Sequence, residues 1–333
     1  MVTRRDDLLA ALNNREPSGK VPLWELEFHI WDKVSNQHLL VGPEFAALTR
    51  SEKERALHTN AEIFISVSER LGFSAITLPS QFWEVGPGHP AYYWLPEEWR
   101  DQQTRVVRQM AHADLSLVAN CSALLGIPMG ADYVPFAYKL YDAPDEVQEM
   151  AELKLKEGIE SAVRFFDLGV EIGLTTSDLA DNHSTFMNPH QLDRYVWPYL
   201  SKWAEALKSM GMISILHSDG NLKDCLDQIA GSGVNCLQAI DPTAGMDILI
   251  VKRQIGERIC LCGNVDCSLL VSGTPEAIYQ ATRNLLESCK QGGGFILGAA
   301  NAVQTAVPLE NYLALVDAWN DYGYYSVSTV ETK

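Results

Sequence analysis

The sequence places side chains that bind metals or transfer protons directly after short apolar runs. His217 and Asp219 stand two residues apart at the end of one such run, and Gly220 follows them. Because residues two apart on a β-strand share a face, this imidazole and this carboxylate can reach one divalent cation, or the carboxylate can orient the imidazole for proton transfer. A pair that only satisfies loop backbone donors is the alternative. The pairing at a predicted strand end favours the functional interpretation.

Further acidic, amide and thiol side chains follow other apolar runs. Asp178 and Asp181 lie three residues apart where a predicted strand meets a loop, and a helix N-cap role competes with catalysis for Asp181. Cys262 shares a strand face with Cys260 and could be directed at a metal, although buried cysteines are more often small core residues. The candidate catalytic residues are Asp178, Asp181, Asp241 and Asn264, and the candidate substrate-binding residues are Glu27, His29, Trp83 and Asn301.

Eight apolar runs rich in β-branched residues alternate with segments of helical periodicity, and no linker interrupts them. This alternation predicts an α/β fold with a parallel sheet wrapped by helices, and eight strands close a single (β/α)8 TIM barrel. An open doubly wound sheet is the alternative, but the chain has no Gly-x-Gly-x-x-Gly fingerprint. The active site of such a barrel lies at the carboxyl ends of its strands, where the polar residues above fall. The predicted strands lie near residues 21–28, 74–79, 115–124, 170–178, 213–219, 234–241, 259–266 and 294–302, and the predicted helices include 145–168, 191–210, 274–291 and 309–323.

Length and composition fit one barrel-sized domain. The 333 residues are predicted to form one domain over 1–333, since a barrel of this kind needs roughly 250 residues. No run reaches the roughly 18 apolar residues that span a bilayer. The N-terminus lacks a signal peptide's apolar stretch and the seven cysteines form no paired framework, so a cytoplasmic protein with reduced thiols is expected. A formal net charge of −17 disfavours nucleic acid or an anionic membrane as a partner.

Residues 80–112 interrupt the alternation of strands and helices. They are aromatic and rich in glycine and turn residues, most clearly around Trp83 and Trp94. We predict that this segment is an insertion near the barrel mouth that forms a β-hairpin or a lid. A loop packed against the barrel rim is the alternative.

Several motifs match a known family in their order and spacing. With them the chain resembles the uroporphyrinogen decarboxylase superfamily, which includes the decarboxylases and cobalamin-dependent methyltransferases. The resemblance covers nearly the whole chain and implies a TIM barrel. The matching elements are an opening helix from Arg4 to Val21 that ends in Lys20-Val21-Pro22, the turn Leu216-His217-Ser218-Asp219-Gly220-Asn221, Gly263-Asn264-Val265-Asp266 followed by Gly273-Thr274-Pro275-Glu276, and the closing Pro308-Leu309-Glu310-Asn311.

The segment from Pro22 to His29 departs from the decarboxylases of that superfamily. Their arginine-rich first strand binds the carboxylates of the substrate, whereas this segment contains Glu25 and Glu27 and no arginine. Acidic side chains there would repel an octacarboxylate porphyrinogen. The resemblance therefore favours the corrinoid-dependent methyltransferase branch.

Methyltransferases of the superfamily that pass a methyl group from a corrinoid to a thiol hold zinc with a His-x-Cys pair and a later cysteine. His217 matches that histidine, whereas Asp219 and Asn301 stand at the two cysteine positions. Oxygen donors make zinc a harder Lewis acid, suited to polarising the oxygen of a methyl ether rather than to activating a thiol. The expected zinc ligands are His217 and Asp219, joined by Glu25, Cys262, Glu27 or Asn301.

The resemblance thus implies a cytoplasmic, zinc-assisted methyltransferase. It would move a methyl group between a small-molecule O-methyl donor and cobalamin supplied by a corrinoid-binding partner protein. It would need neither nucleic acid nor membrane, and a homodimer is left open. One alternative is a decarboxylase or lyase acting on a carboxylated aromatic or tetrapyrrole, and another is a non-catalytic barrel that binds a corrinoid or tetrapyrrole.

Overall fold

Seven short parallel strands form one curled, TIM-barrel-like sheet in the computed structural model, which describes residues 2–79, 95–128 and 130–325. Each strand pairs in parallel with the next one along the chain, so the spatial order is the sequence order. The strands are β1 (Ala75–Thr77), β2 (Ser116–Asn120), β3 (Ile172–Thr176), β4 (Ile213–Ser218), β5 (Cys236–Ala239), β6 (Cys260–Cys262) and β7 (Phe295–Ile296). The predicted α/β class and parallel sheet are confirmed.

Helices connect successive strands and cover the outer face of the sheet. Parallel strands require such crossovers, because a tight turn can join only antiparallel neighbours. The α-helices of the described ranges are α1 (Arg4–Leu12), α2 (Trp31–Ser35), α3 (Gly42–Ala47), α4 (Arg50–Leu71), α5 (Glu97–Met110), α6 (Tyr133–Asp142), α7 (Pro144–Asp167), α8 (Pro189–Tyr195), α9 (Trp197–Met210), α10 (Leu226–Gly231), α11 (Ile248–Ile255), α12 (Cys267–Ser272), α13 (Pro275–Cys289) and α14 (Leu309–Tyr322).

The sheet encloses a separate apolar cluster on its inner face. Alternating strand residues such as Ile215 on β4 and Cys236 on β5 point into it and are at most 1% exposed. Leu8 and Leu12 of α1 pack into the same cluster. Because Arg5 of α1 also pairs with the residue that precedes β3, α1 covers the amino ends of the strands. The inner space is therefore filled with side chains below the level of the strand ends.

Residues 21–28 do not form the regular first strand that the sequence predicts. Pro22 has no amide proton to donate, and only isolated parallel bridges occur, between Leu23 and Leu297 and between Phe28 and Val303. The backbone of this segment nevertheless forms hydrogen bonds with a neighbouring segment on each side. The Trp24 amide donates to the Leu297 carbonyl at 3.0 Å, and the Ser74 amide donates to the Leu23 carbonyl at 2.8 Å. It therefore lies between β7 and the start of β1.

The second half of the predicted insertion is an ordinary crossover helix. Residues 97–110 form α5, which joins β1 to β2 and packs on α4. Trp99 meets Phe45 edge to face at 5.8 Å, and the Gln103 amide donates to the Leu57 carbonyl at 2.9 Å. The sequence conceals this helix because most of its residues are charged or polar. The aromatic half around Trp83 and Trp94 falls in 80–94, outside the described residues, so the lid remains a prediction.

One predicted helix, 191–210, divides in two. Pro198 occupies the first turn of α9, where a missing amide proton costs nothing, and the single residue Val196 separates α8 from α9. The helices predicted over 145–168, 274–291 and 309–323 correspond closely to α7, α13 and α14, whereas the opening helix α1 ends at Leu12 instead of Val21 because Asn13 caps it. Across the ranges that the structure describes, no helix combines the length and the apolar character that crossing a bilayer would require.

Candidate functional site

Three side chains with metal-ligating atoms converge beyond the carboxyl ends of β3 and β4. The His217 Nε2 atom lies 3.6 Å from Asp178 Oδ1 and 3.9 Å from Asp219 Oδ2. The three donor atoms all lie within 4.8 Å of one another. The structure thus brings together the predicted pair His217 and Asp219 with Asp178, which the sequence offered as a catalytic residue.

Backbone and side-chain hydrogen bonds fix the loop after β3 against the end of β4. The Ser177 amide donates to the His217 carbonyl at 3.1 Å, and the Leu179 amide donates to the Ser218 hydroxyl at 3.0 Å. Between them, Asp178 Oδ1 accepts the amide proton of Asp219 at 3.1 Å. His217 shares the inward face of β4 with Ile215. The imidazole is therefore held by the sheet, and the loop that carries Asp178 is hydrogen-bonded to the end of β4 and to Asp219.

Gly220 makes the turn after Asp219 possible. Its φ is +85°, and a Cβ atom there would lie 2.4 Å from the Ala180 carbonyl oxygen. A side chain at this position would be strained and would also push the Asp181 loop away from β4. Close backbone approach at Gly220 is thus a condition for bringing Asp178 to His217.

We expect Gly220→Ala to destabilise the protein by roughly 3 kcal/mol, the sum of left-handed strain and a backbone clash. Gly211→Ala is the matched control, because Gly211 has a φ of +81° but nothing within 4 Å of an added Cβ. It should cost only about 1 kcal/mol. Urea unfolding of both variants measures the difference, and equal losses would contradict the close-approach argument.

Gln238 supports His217, although the sequence patterns do not single it out. It is the register partner of His217 on β5, is 1% exposed, and its Oε1 lies within hydrogen-bond distance of His217 Nδ1. A neutral His217 that donates from Nδ1 to Gln238 has its lone pair on Nε2, on the side of the two carboxylates. The available signal was an amide on the inward face of an otherwise apolar strand, two residues after Cys236.

The surroundings of Asp219 favour a bound cation. Burial raises the pKa of Asp219 to about 6, and the negative charges of Asp178, Asp241 and Glu27 add to the rise while His217 opposes it. Asp219 Oδ1 is buried and has no hydrogen-bond partner among the described residues. A buried carboxylate oxygen without a partner is costly, and a cation would relieve both this cost and the repulsion.

The donor set fits a zinc ion. One imidazole nitrogen and two carboxylate oxygens are typical ligands, and three protein ligands leave a fourth position for water or substrate. Donors on a tetrahedral zinc at about 2.0–2.1 Å lie roughly 3.3 Å apart. The spacings of 3.6 and 3.9 Å are slightly wider. All three donor atoms lie within 4.8 Å of one another, so side-chain rotation would have to bring them closer together, by at most about 1.5 Å, to hold the ion.

Two predicted zinc ligands, Glu25 and Cys262, lie outside this group. Both Glu25 oxygens accept hydrogen bonds, from the Tyr312 hydroxyl at 2.8 Å and from the Ala299 amide at 2.9 Å. Burial raises the pKa of Glu25 to about 8. Cys262 belongs to the inner apolar cluster, where burial raises the pKa of its thiol well above the usual value. The structure does not bring either residue to His217.

The other predicted catalytic residues stabilise loops around the site. Asp181 Oδ1 accepts the amide protons of His183 at 2.7 Å and Ser184 at 3.0 Å, which lowers the pKa of Asp181. Asp241 Oδ1 accepts the Thr243 amide proton at 2.8 Å, and the Asn264 amide donates to the Ile240 carbonyl at 2.6 Å. Asp181 therefore closes a turn and is not a helix N-cap, because the next helix, α8, begins at Pro189 with Asn188 as its N-cap.

The predicted substrate-binding residues divide into two places. Asn301 adjoins the site: its amide nitrogen donates to Asp219 Oδ2, and its amide oxygen accepts the Ala302 amide proton at 2.8 Å. Glu27 Oε2 and His29 Nε2 are hydrogen-bonded at 2.9 Å, and the negative charge of Glu27 contributes to the raised pKa of Asp219. Trp83 lies outside the described residues. Asn301 therefore orients Asp219 instead of offering its own oxygen.

Comparisons with known proteins agree with this architecture. A family model described as uroporphyrinogen decarboxylase (URO-D) matches residues 128–322. A uroporphyrinogen decarboxylase of Coxiella burnetii is 27% identical over 186 residues, which are 55% of this chain and 49% of that protein. Another, of Psychromonas ingrahamii, is 25% identical over 162 residues, 48% of this chain and 45% of that protein. The chain spans about half the length of these curated relatives.

A solved structure shares the fold over nearly the whole chain. It is a methyltransferase from Methanosarcina mazei with a TM-score of 0.73 and 20% sequence identity. The match covers 97% of this chain and 99% of that one. At this identity the likeness concerns the fold.

Proposed function

Because the chain belongs to the uroporphyrinogen decarboxylase family, we propose that it is a zinc-assisted, corrinoid-dependent methyltransferase. It would transfer a methyl group between an O-methyl donor and cobalamin on a corrinoid protein. The observation that carries the proposal is the group formed by Asp178, His217 and Asp219, in which one buried oxygen of Asp219 has no hydrogen-bond partner within the part of the chain that the structure describes. A hard nitrogen and oxygen donor set suits the polarisation of a substrate oxygen.

The residues of the site have separate roles in this proposal. His217 and the two carboxylates hold the cation, and zinc bound there supplies Lewis acidity toward the ether oxygen. His217 is 8% exposed, whereas Asp178 is 48% exposed. Asp178 is therefore the ligand that a substrate entering from the mouth meets first. Asn301 restrains the carboxylate of Asp219 while the donor binds.

The filled interior supports a separate corrinoid carrier. Side chains occupy the space inside the sheet and α1 covers its amino ends, so a cofactor as large as cobalamin must approach from the strand ends. We infer further that residues 22–24 complete a closed barrel between β7 and β1, supported by their hydrogen bonds on both sides. Methyl exchange would then occur at the mouth, beside Asp178.

Decarboxylation is the second candidate, and the names of the curated relatives favour it. The charge of the site argues against their substrate, because Asp178, Asp241 and Glu27 all raise the pKa of Asp219, and His217 alone among the described residues opposes them. Such a potential disfavours a polycarboxylate and favours a neutral or cationic donor.

Two parallel assays separate the candidates. Protein purified without chelator is expected to hold close to one zinc per chain and to methylate a cobalamin acceptor from a methyl ether. Uroporphyrinogen offered to the same preparation should be recovered unchanged. Decarboxylation of uroporphyrinogen by protein free of metal would instead establish the second candidate, and EDTA treatment serves as the control for metal dependence.

A further inference from the structure

Gln238 is a polar side chain in a buried position that is otherwise apolar. It lies on the inward face of β5, is 1% exposed, and its strand neighbours on that face include Cys236 in the apolar cluster. A buried amide is destabilising unless it is hydrogen-bonded. Its oxygen meets His217 Nδ1 across the register pair of β4 and β5. The sheet therefore fixes the geometry of this contact.

The two carboxylates would otherwise draw the imidazole proton to the wrong nitrogen. His217 Nε2 lies 3.6 Å from Asp178 and 3.9 Å from Asp219, and a proton on Nε2 would be attracted by both. A neutral imidazole protonated there has no lone pair to give to a cation. An acceptor at Nδ1 opposes this tautomer, because the amide oxygen of Gln238 can only accept.

We propose that Gln238 is a positioning residue that keeps His217 in the Nδ1-protonated tautomer and so directs Nε2 to the metal. The inference rests on the proposed zinc site of His217, Asp178 and Asp219. Gln238 itself does not touch the metal or the substrate in this arrangement. Its effect passes entirely through the imidazole ring, as for the acceptors that commonly support histidine ligands.

The test uses Gln238→Leu and Gln238→Glu in the full chain. Zinc titration should show roughly 10- to 100-fold weaker binding in Q238L, while Q238E, which keeps an acceptor oxygen, should stay within a few-fold of the wild type. Gln103→Leu is the matched control, because Gln103 is also 1% exposed and hydrogen-bonded but lies on α5. It should leave zinc affinity unchanged.

A spectroscopic readout separates positioning from general loss of structure. Nitrogen-15 NMR of labelled histidine should show zinc on Nε2 and a proton on Nδ1 of His217 in the wild type and Q238E. In Q238L this signature should be lost or mixed. If Q238L does not fold, the test is made with Q238E, and zinc binding as weak as in His217→Ala overturns the inference. A proton on Nε2 of His217 in the metal-free wild type also overturns it.

Failure of the inference and failure of the metal site give different results. Unchanged zinc affinity in His217→Ala contradicts the proposed site itself. Loss of zinc in His217→Ala together with full affinity in a folded Q238L contradicts only the role of Gln238.

Discussion

Replacing His217 with alanine is expected to lower zinc affinity at least ~100-fold, since even residues that only support a ligand contribute about 10- to 100-fold. Methyl transfer should fall with the metal. Asp219→Ala should lower zinc affinity by about 10- to 100-fold, because it removes one of the two carboxylates within 4.8 Å of the imidazole donor. Equilibrium dialysis followed by metal analysis measures both effects.

The control for this experiment is another histidine of the same chain. His190 is exposed on α8, outside the group of donors, and His190→Ala should bind zinc like the wild type. His217→Ala leaves the Gln238 amide without its partner, which costs on the order of 1–3 kcal/mol, so folding is checked by circular dichroism. Stoichiometric, tightly held zinc in folded His217→Ala would refute the ligand assignment.

Glu25→Gln is expected to change how stability depends on pH. The unfolded chain releases the Glu25 proton near pH 4.5, whereas burial raises the pKa of Glu25 in the folded protein to about 8. Between these values the folded state binds more protons than the unfolded state, so its stability falls as pH rises from about 4.5 to about 8. Glutamine mimics the protonated carboxyl and should remove this decline.

The size of the effect follows from the shift. One pKa unit corresponds to about 1.4 kcal/mol, so the variant should gain on the order of 4 kcal/mol over the wild type between pH 5 and pH 9. Urea unfolding at pH 5, 7 and 9 measures the gain. Tyr312→Phe is the control, since it removes the hydroxyl that bonds to Glu25 but keeps the titrating group and hence the decline. Parallel curves for Glu25→Gln and the wild type would contradict the assignment.

The sequence predicts regular elements where pattern and hydrogen bonding agree. The apolar run before His217 predicts a strand over 213–219, and the structure has β4 over Ile213–Ser218. Residues 21–28 alternate between apolar and other residues. They form only isolated β-bridges, because Pro22 has no amide proton and contacts with β7 occur at single positions. Helix α5 was concealed by its polar surface, since few of its residues are buried. The periodicity of apolar residues therefore predicts which side chains are buried. It is a less reliable guide to which backbone groups are hydrogen-bonded in a regular strand or helix.

Some residues of the site could likewise be predicted from the sequence and others could not. His217 and Asp219 follow from a spacing of two on a strand, and Asp178 joins them because loops after neighbouring parallel strands meet. Glu25 was assigned to the metal because sequence alone does not give the direction of its side chain, which turns to Tyr312, 287 residues away. The sequence does not point to Gln238, because an amide side chain neither titrates nor acts as a nucleophile.

The junction between residues 20–24 and the last turns of the chain has a consequence for biosynthesis. The Val21 carbonyl accepts a proton from the indole of Trp319, 298 residues later, and Leu23 bridges to Leu297. A ribosome adding about 5–20 residues per second needs roughly 15–60 s to supply those partners. Throughout that interval the buried side chains of 21–24 and α1 lack their final neighbours. Chaperones that bind nascent apolar segments should therefore engage the first 24 residues longer than any later strand.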